Sequence, residues 1–216
     1  MIPACIFKVS ISMTIRRHRG DLPDLSAYKG AVAIDTETMG LQHQRDRLCV
    51  VQMSPGDGSA DVVQIAAGHP VATNITRMLQ DPSILKIFHF ACFDLGILYQ
   101  TFGVMPAPVY CTKIASRIAR TYTDKHGLKD LVRELLNIDL SKQLQSSDWG
   151  ADELSDAQVA YAASDVLHLH AVKTKLDAML AREGRTELAA ACFRFLPDRV
   201  RLDLAGWDQE DVFAHS

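Results

Sequence analysis

The sequence carries no excess of basic residues: 23 Lys and Arg stand against 26 Asp and Glu in 216 residues, a formal net charge of −3. A sequence-independent grip on a long nucleic acid is built on such an excess. A nucleic-acid substrate would therefore have to be short, or be held by a local basic patch, by metal ions or by several chains together. No stretch reaches the roughly 18 consecutive apolar residues of a membrane-spanning helix, so no membrane partner is expected. Paired cysteines are missing too. Cys5, Cys49, Cys92, Cys111 and Cys192 form no CxxC and leave one thiol over, which fits reduced thiols in the cytoplasm better than a disulfide framework. Internal repeats, low-complexity tracts and long linkers are likewise absent. What remains, 48% hydrophobic and 23% charged residues, is the composition of a globular chain able to bury a core.

The opening MIPACIFKVSISM has its apolar run before the basic cluster Arg16, Arg17, His18 and Arg19, the reverse of a signal peptide's order. Residues 1–12 are expected to be an N-terminal extension upstream of a start at Met13, leaving a soluble intracellular protein. Residues 31–36, 48–53 and 60–65 are short runs rich in β-branched residues and separated by Gly, Pro and Asp. They predict consecutive strands, with SPGDGS at 54–59 as a hairpin loop. A helix over 71–80, a buried strand over 84–89, a helix over 93–102, a strand over 108–111 and helical segments to 137 follow. Leu128, Leu131, Val132 and Leu135 make one apolar stripe at helix spacing. Ser155 and Gln158 form a capping box that starts a helix expected to run to about Arg182. From 196 onward no periodicity is visible, and 196–216 is expected to be a tail, a candidate subunit contact beyond a domain over 13–195. The whole predicts an α/β fold, a mixed sheet flanked by helices.

Asp35 and Glu37 end the first of these strands. Residues i and i+2 of a strand share a face, and two such anions repel unless a cation or proton lies between them. Hard oxygen donors suit Mg²⁺ or Mn²⁺ better than zinc; exposed strand-end acids are the plain alternative. Asp94, in HFACFDLGIL, is a lone charge among apolar residues, and by itself is better read as a first-turn helix acid. Tyr161 and Asp165 lie four apart and so share a helix face; a half-buried Tyr beside a solvated Asp is the alternative. Four carboxylates around one pocket can hold two divalent cations for in-line attack on a phosphodiester. With an ordinary phenol pKa near 10, Tyr161 suits positioning of the attacking water better than deprotonating it.

AIDTETMGL at 33–41, HFACFDLGIL at 89–98 and YAASDVLHL at 161–169 resemble, in order, the three signatures of the DEDD 3′→5′ exonucleases. The Tyr four residues before the last Asp resembles the tyrosine subclass, which includes ribonuclease D. The resemblance covers about 30–182 and implies a ribonuclease H-like fold. It also implies Asp35, Glu37, Asp94 and Asp165 as ligands of two divalent cations (Mg²⁺ or Mn²⁺), with Tyr161 as their catalytic companion. Within TxTxGL, Thr38 and Leu41 match substrate-side positions, Leu41 that of a residue wedged against terminal bases. His89 matches a polar residue lining the site, although a strand-end histidine would look the same. TIRRHRGDLP, QLQSSDWGADELS and LDLAGWDQEDVFAHS resemble the short bacterial oligoribonucleases of the nanoRNase C kind. That similarity implies cleavage of very short RNA, especially dinucleotides, and a ring-shaped homo-octamer. One departure is Phe90-Ala91 after His89, where many relatives carry Asn.

Lys113, Arg117 and Arg120 recur at helix spacing and could meet a 5′-phosphate; a solvated basic face is the alternative. Residues 145–149 are expected to form a substrate-side loop in which Trp149 stacks on a base or instead anchors the core. Arg199, Arg201 and Trp207 are candidate subunit contacts. The expected activity is a metal-dependent 3′→5′ exoribonuclease finishing RNA decay at dinucleotides. The alternative is a broader ribonuclease D-like exonuclease on longer RNA or on DNA ends.

Overall fold

The β-branched runs become neighbouring strands because each alternates side chains between two apolar layers. A computed structural model of the chain describes residues 13–68, 71–141, 144 and 146–215; the extension expected at 1–12 and Gln145 of the expected substrate loop lie outside the described residues. Strands β1 (Thr14–Arg19), β2 (Ala31–Thr38), β3 (Leu48–Ser54), β4 (Ser59–Gln64), β5 (Leu85–Phe88) and β6 (Val109–Cys111) form one sheet in the order β1-β4-β3-β2-β5-β6. β2, β3 and β4 pair antiparallel, while β1 joins β4, β5 joins β2 and β6 joins β5 in parallel. This is the mixed sheet expected of the fold class.

In β2, Val32 and Ile34 enter the apolar layer shared with α1 (Thr73–Gln80), α2 (Ala91–Phe102) and α7 (Thr186–Leu202). Ala33 enters the opposite layer, with α3 (Thr112–Ala119), α4 (Leu128–Leu136), α5 (Asp156–Leu167) and α6 (Leu169–Arg182). Helix α4 keeps its predicted stripe, burying Leu131 and Val132, and stops at Asn137 in the left-handed region at φ 58°, a conformation Asn tolerates better than most residues.

Three expectations need correction. First, the helix capped by Ser155 and Gln158 starts as predicted, but it does not run unbroken to Arg182. It breaks at His168 (φ −102°, ψ −8°), because α5 lies across β2, β3 and β4 whereas α6 packs on α3, α4 and α7. One straight rod could not serve both surfaces. Second, the segment from 196 is not aperiodic: α7 runs through Pro197 to Leu202, followed by a π-helical turn over Asp203–Trp207. Ala189, Leu196 and Val200 are buried on one side of α7, a stripe that Pro197 and the charges at 198–201 disguise. Third, β1 was hidden by its own charges. Arg16 and His18 face Asp61 of β4 at 2.7 Å each, and the Tyr28 hydroxyl donates to the same carboxylate at 2.6 Å. Burial alone would raise Asp61, but the bonds from Arg16, Tyr28 and His18 outweigh it and hold its pKa near 2. A buried carboxylate so fully satisfied ties a basic edge strand to the sheet.

Candidate active site

The alternation of β2 also decides where its polar end points. Asp35 and Glu37 continue the face of Ala33, toward α5, while Thr36 continues the face of Ile34, toward α2. On α5, the fully buried Ala162 and Ala163 keep the helix close to the sheet and bring Asp165 against the β2 pair. Carboxylate oxygens of Asp35, Glu37 and Asp165 all lie within 4.8 Å of one another. Asp94, in the first turn of α2, arrives from the other side. It is 3% exposed and accepts a 2.7 Å bond from the Thr36 hydroxyl; it lies close enough to raise Asp35 by its charge but outside the tight group of three. A register shift at Glu37–Thr38 marks where the strand bends away, as bulges do beside sites.

The electrostatics are those of unpaired negative charge. Burial first, then the neighbouring charges of Asp94, Asp165 and Glu37, push Asp35 well above the carboxylate range. Glu37 is raised to about 9, by burial and then by Asp165 and Asp94. Burial also raises Asp94 and Asp165, although hydrogen bonds from Thr36 and Tyr161 respectively pull the other way. The Tyr161 phenol bonds to Asp165 and is pushed far above its ordinary value, by burial first and then by Asp165, Glu37 and Asp35. It therefore keeps its proton near neutrality.

One contact was not foreseen. Gln52 lies directly opposite Asp35 across the β2–β3 ladder and donates from Nε2 to Asp35 Oδ2 at 2.9 Å. It is fully buried, and its Oε1 has no hydrogen-bond partner among the described residues. A lone Gln in the otherwise apolar LCVVQMS was the available signal; its partner depends on register, which pattern does not reveal.

The substrate-side candidates divide. Leu41 is 82% exposed, on a loop that Asp46 closes by accepting from the Gln42 N–H at 3.0 Å. His43 fastens this loop to α2: its ring packs 4.8 Å from that of Phe93, and its Nε2 lies 2.9 Å from the Phe93 carbonyl. A side chain at Gly96 would collide with His43, since a Cβ there would lie 2.8 Å from Nε2. Thr38 spends its hydroxyl inside the loop, donating to the Gly40 carbonyl. His89 Nδ1 is 2.9 Å from the Thr112 hydroxyl, which itself donates to the Phe88 carbonyl at 3.1 Å. The threonine oxygen therefore accepts from Nδ1–H, and Nε2 keeps its lone pair. Burial, helped by the charge of Lys113, lowers His89 to about 3, so the ring is neutral. Lys113 is half-buried and Arg117 is exposed.

Two expectations are corrected here. Arg120 does not share an open basic face: it is fully buried, paired with Glu134 and donating to Ser116 Oγ and the Lys125 carbonyl. Trp149 is only 3% exposed and packs 6.0 Å from the Tyr161 ring; it is a core anchor behind the site, with no free face for a base. Its neighbours were legible as a loop, but the loop's inward turn depends on α5.

Comparison with known proteins bears on the same residues. The family model described as 3′-5′ exonuclease matches residues 22–181, and so spans β2, α2 and α5 with all four acids. The chain belongs to the 3′-5′ exonuclease family. Among solved members of this kind, Brucella melitensis NrnC is 62% identical, the match covering 95% of this chain and 100% of that one, with a TM-score of 0.92. That protein has also been solved with Mg²⁺ and with pGG bound. Escherichia coli RNase D, 26% identical, matches 80% of this chain and 45% of its own, with a TM-score of 0.70. Ribonuclease D of Gluconacetobacter diazotrophicus is 38% identical over 167 residues, which is 77% of this chain. The chain spans about two-fifths of the length of that curated relative, 42%.

Proposed function

We propose that this chain is a metal-dependent 3′→5′ exoribonuclease that cleaves very short RNA, dinucleotides above all, to nucleoside monophosphates. The observation that carries the reading is the meeting of Asp35, Glu37 and Asp165 within 4.8 Å, with the charge of Asp94 acting on Asp35 beside them. The donor set fits hard divalent cations: every candidate ligand is a carboxylate oxygen, and the group is strained by like charge until a cation enters. Asp35, Glu37, Asp94 and Asp165 would hold two such ions, Mg²⁺ or Mn²⁺. Bound there, divalent cations supply activation of a water and neutralisation of charge on the phosphate and the departing 3′-oxygen.

The protein's own groups do the rest. Tyr161, protonated, spends its one O–H on Asp165 and presents its phenolic oxygen as an acceptor that orients the attacking water. Gln52 holds the Asp35 carboxylate in one rotamer, as outer partners of metal ligands do. His89, with Nδ1 committed to Thr112, offers Nε2 as an acceptor for a sugar hydroxyl. Leu41 projects from its pinned loop to lie against a base, and Lys113 and Arg117 give local positive charge to a chain that has none in excess. This local charge suits a short substrate. The complex of NrnC with pGG, together with the 62% identity, supports the same substrate size.

In this reading the exonuclease unit runs from residue 13 through α7, whose Leu196 and Val200 lie in the core, while Arg199 and Arg201 at the end of that helix and Trp207 beyond it contribute to subunit contacts in a cytoplasmic homo-octamer. Light scattering tests that assembly. A broader exonuclease on longer RNA or DNA ends is favoured by one observation, the curated ribonuclease D relatives. Turnover of 5′-labelled RNAs of two to ten nucleotides, with each metal and with Asp35→Asn as control, separates the readings. A steep fall beyond two or three nucleotides is expected; flat rates across lengths defeat the dinucleotide preference.

A further inference from the structure

We infer that Phe90 is a stacking platform for a nucleobase of the bound dinucleotide. The inference rests on the short-RNA reading above and names a subsite within it. Phe90 stands at φ 67°, ψ 48°, one of two non-glycine residues in the left-handed region among the described residues. Asn137, the other, is of a type that tolerates this geometry, whereas a bulky aromatic residue does so rarely and at a cost in strain. The conformation also turns the ring outward. Phe90 is 52% exposed, while Phe88, two residues earlier, is fully buried.

Its position suits a base. Phe90 lies between the end of β5 and the start of α2, four residues before Asp94. β5 pairs in parallel with β2, so the ring sits at the same sheet edge as Asp35 and Glu37. Leu41 rises from the neighbouring loop, which His43 fastens to Phe93, three residues from Phe90. Two exposed apolar side chains thus stand on adjoining loops over a carboxylate group, where nucleosides flanking a held phosphate would lie.

The ring is also braced. The Lys113 ammonium lies 4.1 Å from its centroid, a cation–π contact. The His89–Thr112 bond joins the residues immediately before each partner, fixing the loop at Phe90 to the start of α3. Among the described residues Lys113 forms no ion pair, so its positive charge stays free beside the ring, where nucleotide phosphates would be drawn. An aromatic face next to a spare cation is the usual equipment of a sequence-tolerant single-strand site.

The test uses an uncleavable RNA dinucleotide with a methylenephosphonate linkage and 2-aminopurine as one base, added to the full-length protein with Mg²⁺. Wild type should bind and quench the 2-aminopurine emission. Phe90→Asn, which suits the left-handed backbone and so keeps the fold, should weaken binding roughly 5- to 150-fold, the range for losing one base–aromatic stack, and abolish the quenching. Phe90→Tyr should retain both. Purine dinucleotides should lose more than pyrimidine ones. Binding and quenching unchanged in Phe90→Asn overturn the inference, as does unchanged binding with an altered molecular mass, which would assign the ring to a protein contact. If wild type itself fails to bind, the short-RNA reading falls, and this inference with it.

Discussion

Asp61 on β4 and the acidic group that Asp35 and Glu37 of β2 form with Asp165 of α5 lie two strands apart on one sheet and stand in opposite electrostatic settings. Asp61 is buried among Arg16, His18 and Tyr28, every one of which donates to it, and its pKa falls to about 2. The other carboxylates face one another with a glutamine and a phenol as their polar company, and their pKa values rise. Each setting costs desolvation. Only the first is offset from within the chain, so the first strengthens the fold while the second holds negative charge in readiness for an outside cation. A buried acid is therefore no guide to function by itself; whether the chain supplies its countercharge is.

The sharpest break of this contrast is Asp165→Asn. Turnover of a dinucleotide, followed by product chromatography, should fall at least about a hundredfold, the scale for losing one fixed electrostatic partner of a transition state. The same substitution should raise the Tm in chelator, where one like charge has gone, at about 2–4 °C per kcal/mol for a chain of this size. A lowered Tm would mean that the group is compensated after all. Asp61→Asn should do the reverse, lowering the urea-unfolding free energy by about 2 kcal/mol through weakened charge-assisted bonds, with turnover per folded molecule unchanged.

Gln52→Leu should reduce turnover about tenfold and weaken Mn²⁺ binding by calorimetry to a similar degree, as loss of an outer-shell partner does, with little change in stability. The smallest effect is the dependence on pH without metal. The raised carboxylates keep protons in the folded state that the unfolded chain releases near pH 4. Their contribution is thus fully present at low pH and declines as pH rises through that range toward about 9 for Glu37. Solvent screening limits the decline to on the order of 1 kcal/mol between pH 5 and 9. Asp61 has the opposite sign: its contribution is present above about pH 4 and is lost as pH falls toward 2. Urea midpoints across pH should show both limbs, and Mg²⁺ should flatten the upper one.

Much of this was legible in local pattern. The i, i+2 spacing of Asp35 and Glu37 and the i, i+4 spacing of Tyr161 and Asp165 hold in the fold because strand and helix periodicities are local. The capping box at Ser155 holds for the same reason. Misreadings arose where a local signal was masked or a distant partner intervened. Three arginines and a histidine in six residues obscured β1, whose partner Asp61 lies more than forty residues away. Pro197 obscured α7, whose stripe takes its meaning from distant partners, chiefly α2 and β6. Trp149 stayed open between base contact and core anchor, and Arg120 looked like part of an open basic face, because nothing near them in sequence reveals what covers them.

The amino-acid order by itself determined which residues could act as hard-cation ligands and which faces of β2 and α5 they occupy, since those follow from backbone geometry within a few residues. Only the tertiary structure decided that Asp165 joins the β2 pair while Asp94 is held on Thr36 outside that group, that Gln52 faces Asp35, and that Phe90 turns its ring to solvent. Those outcomes depend on strand register, on the approach of small-residue helix faces and on backbone strain sustained by neighbouring loops, all of which are set by contacts between segments far apart in the chain.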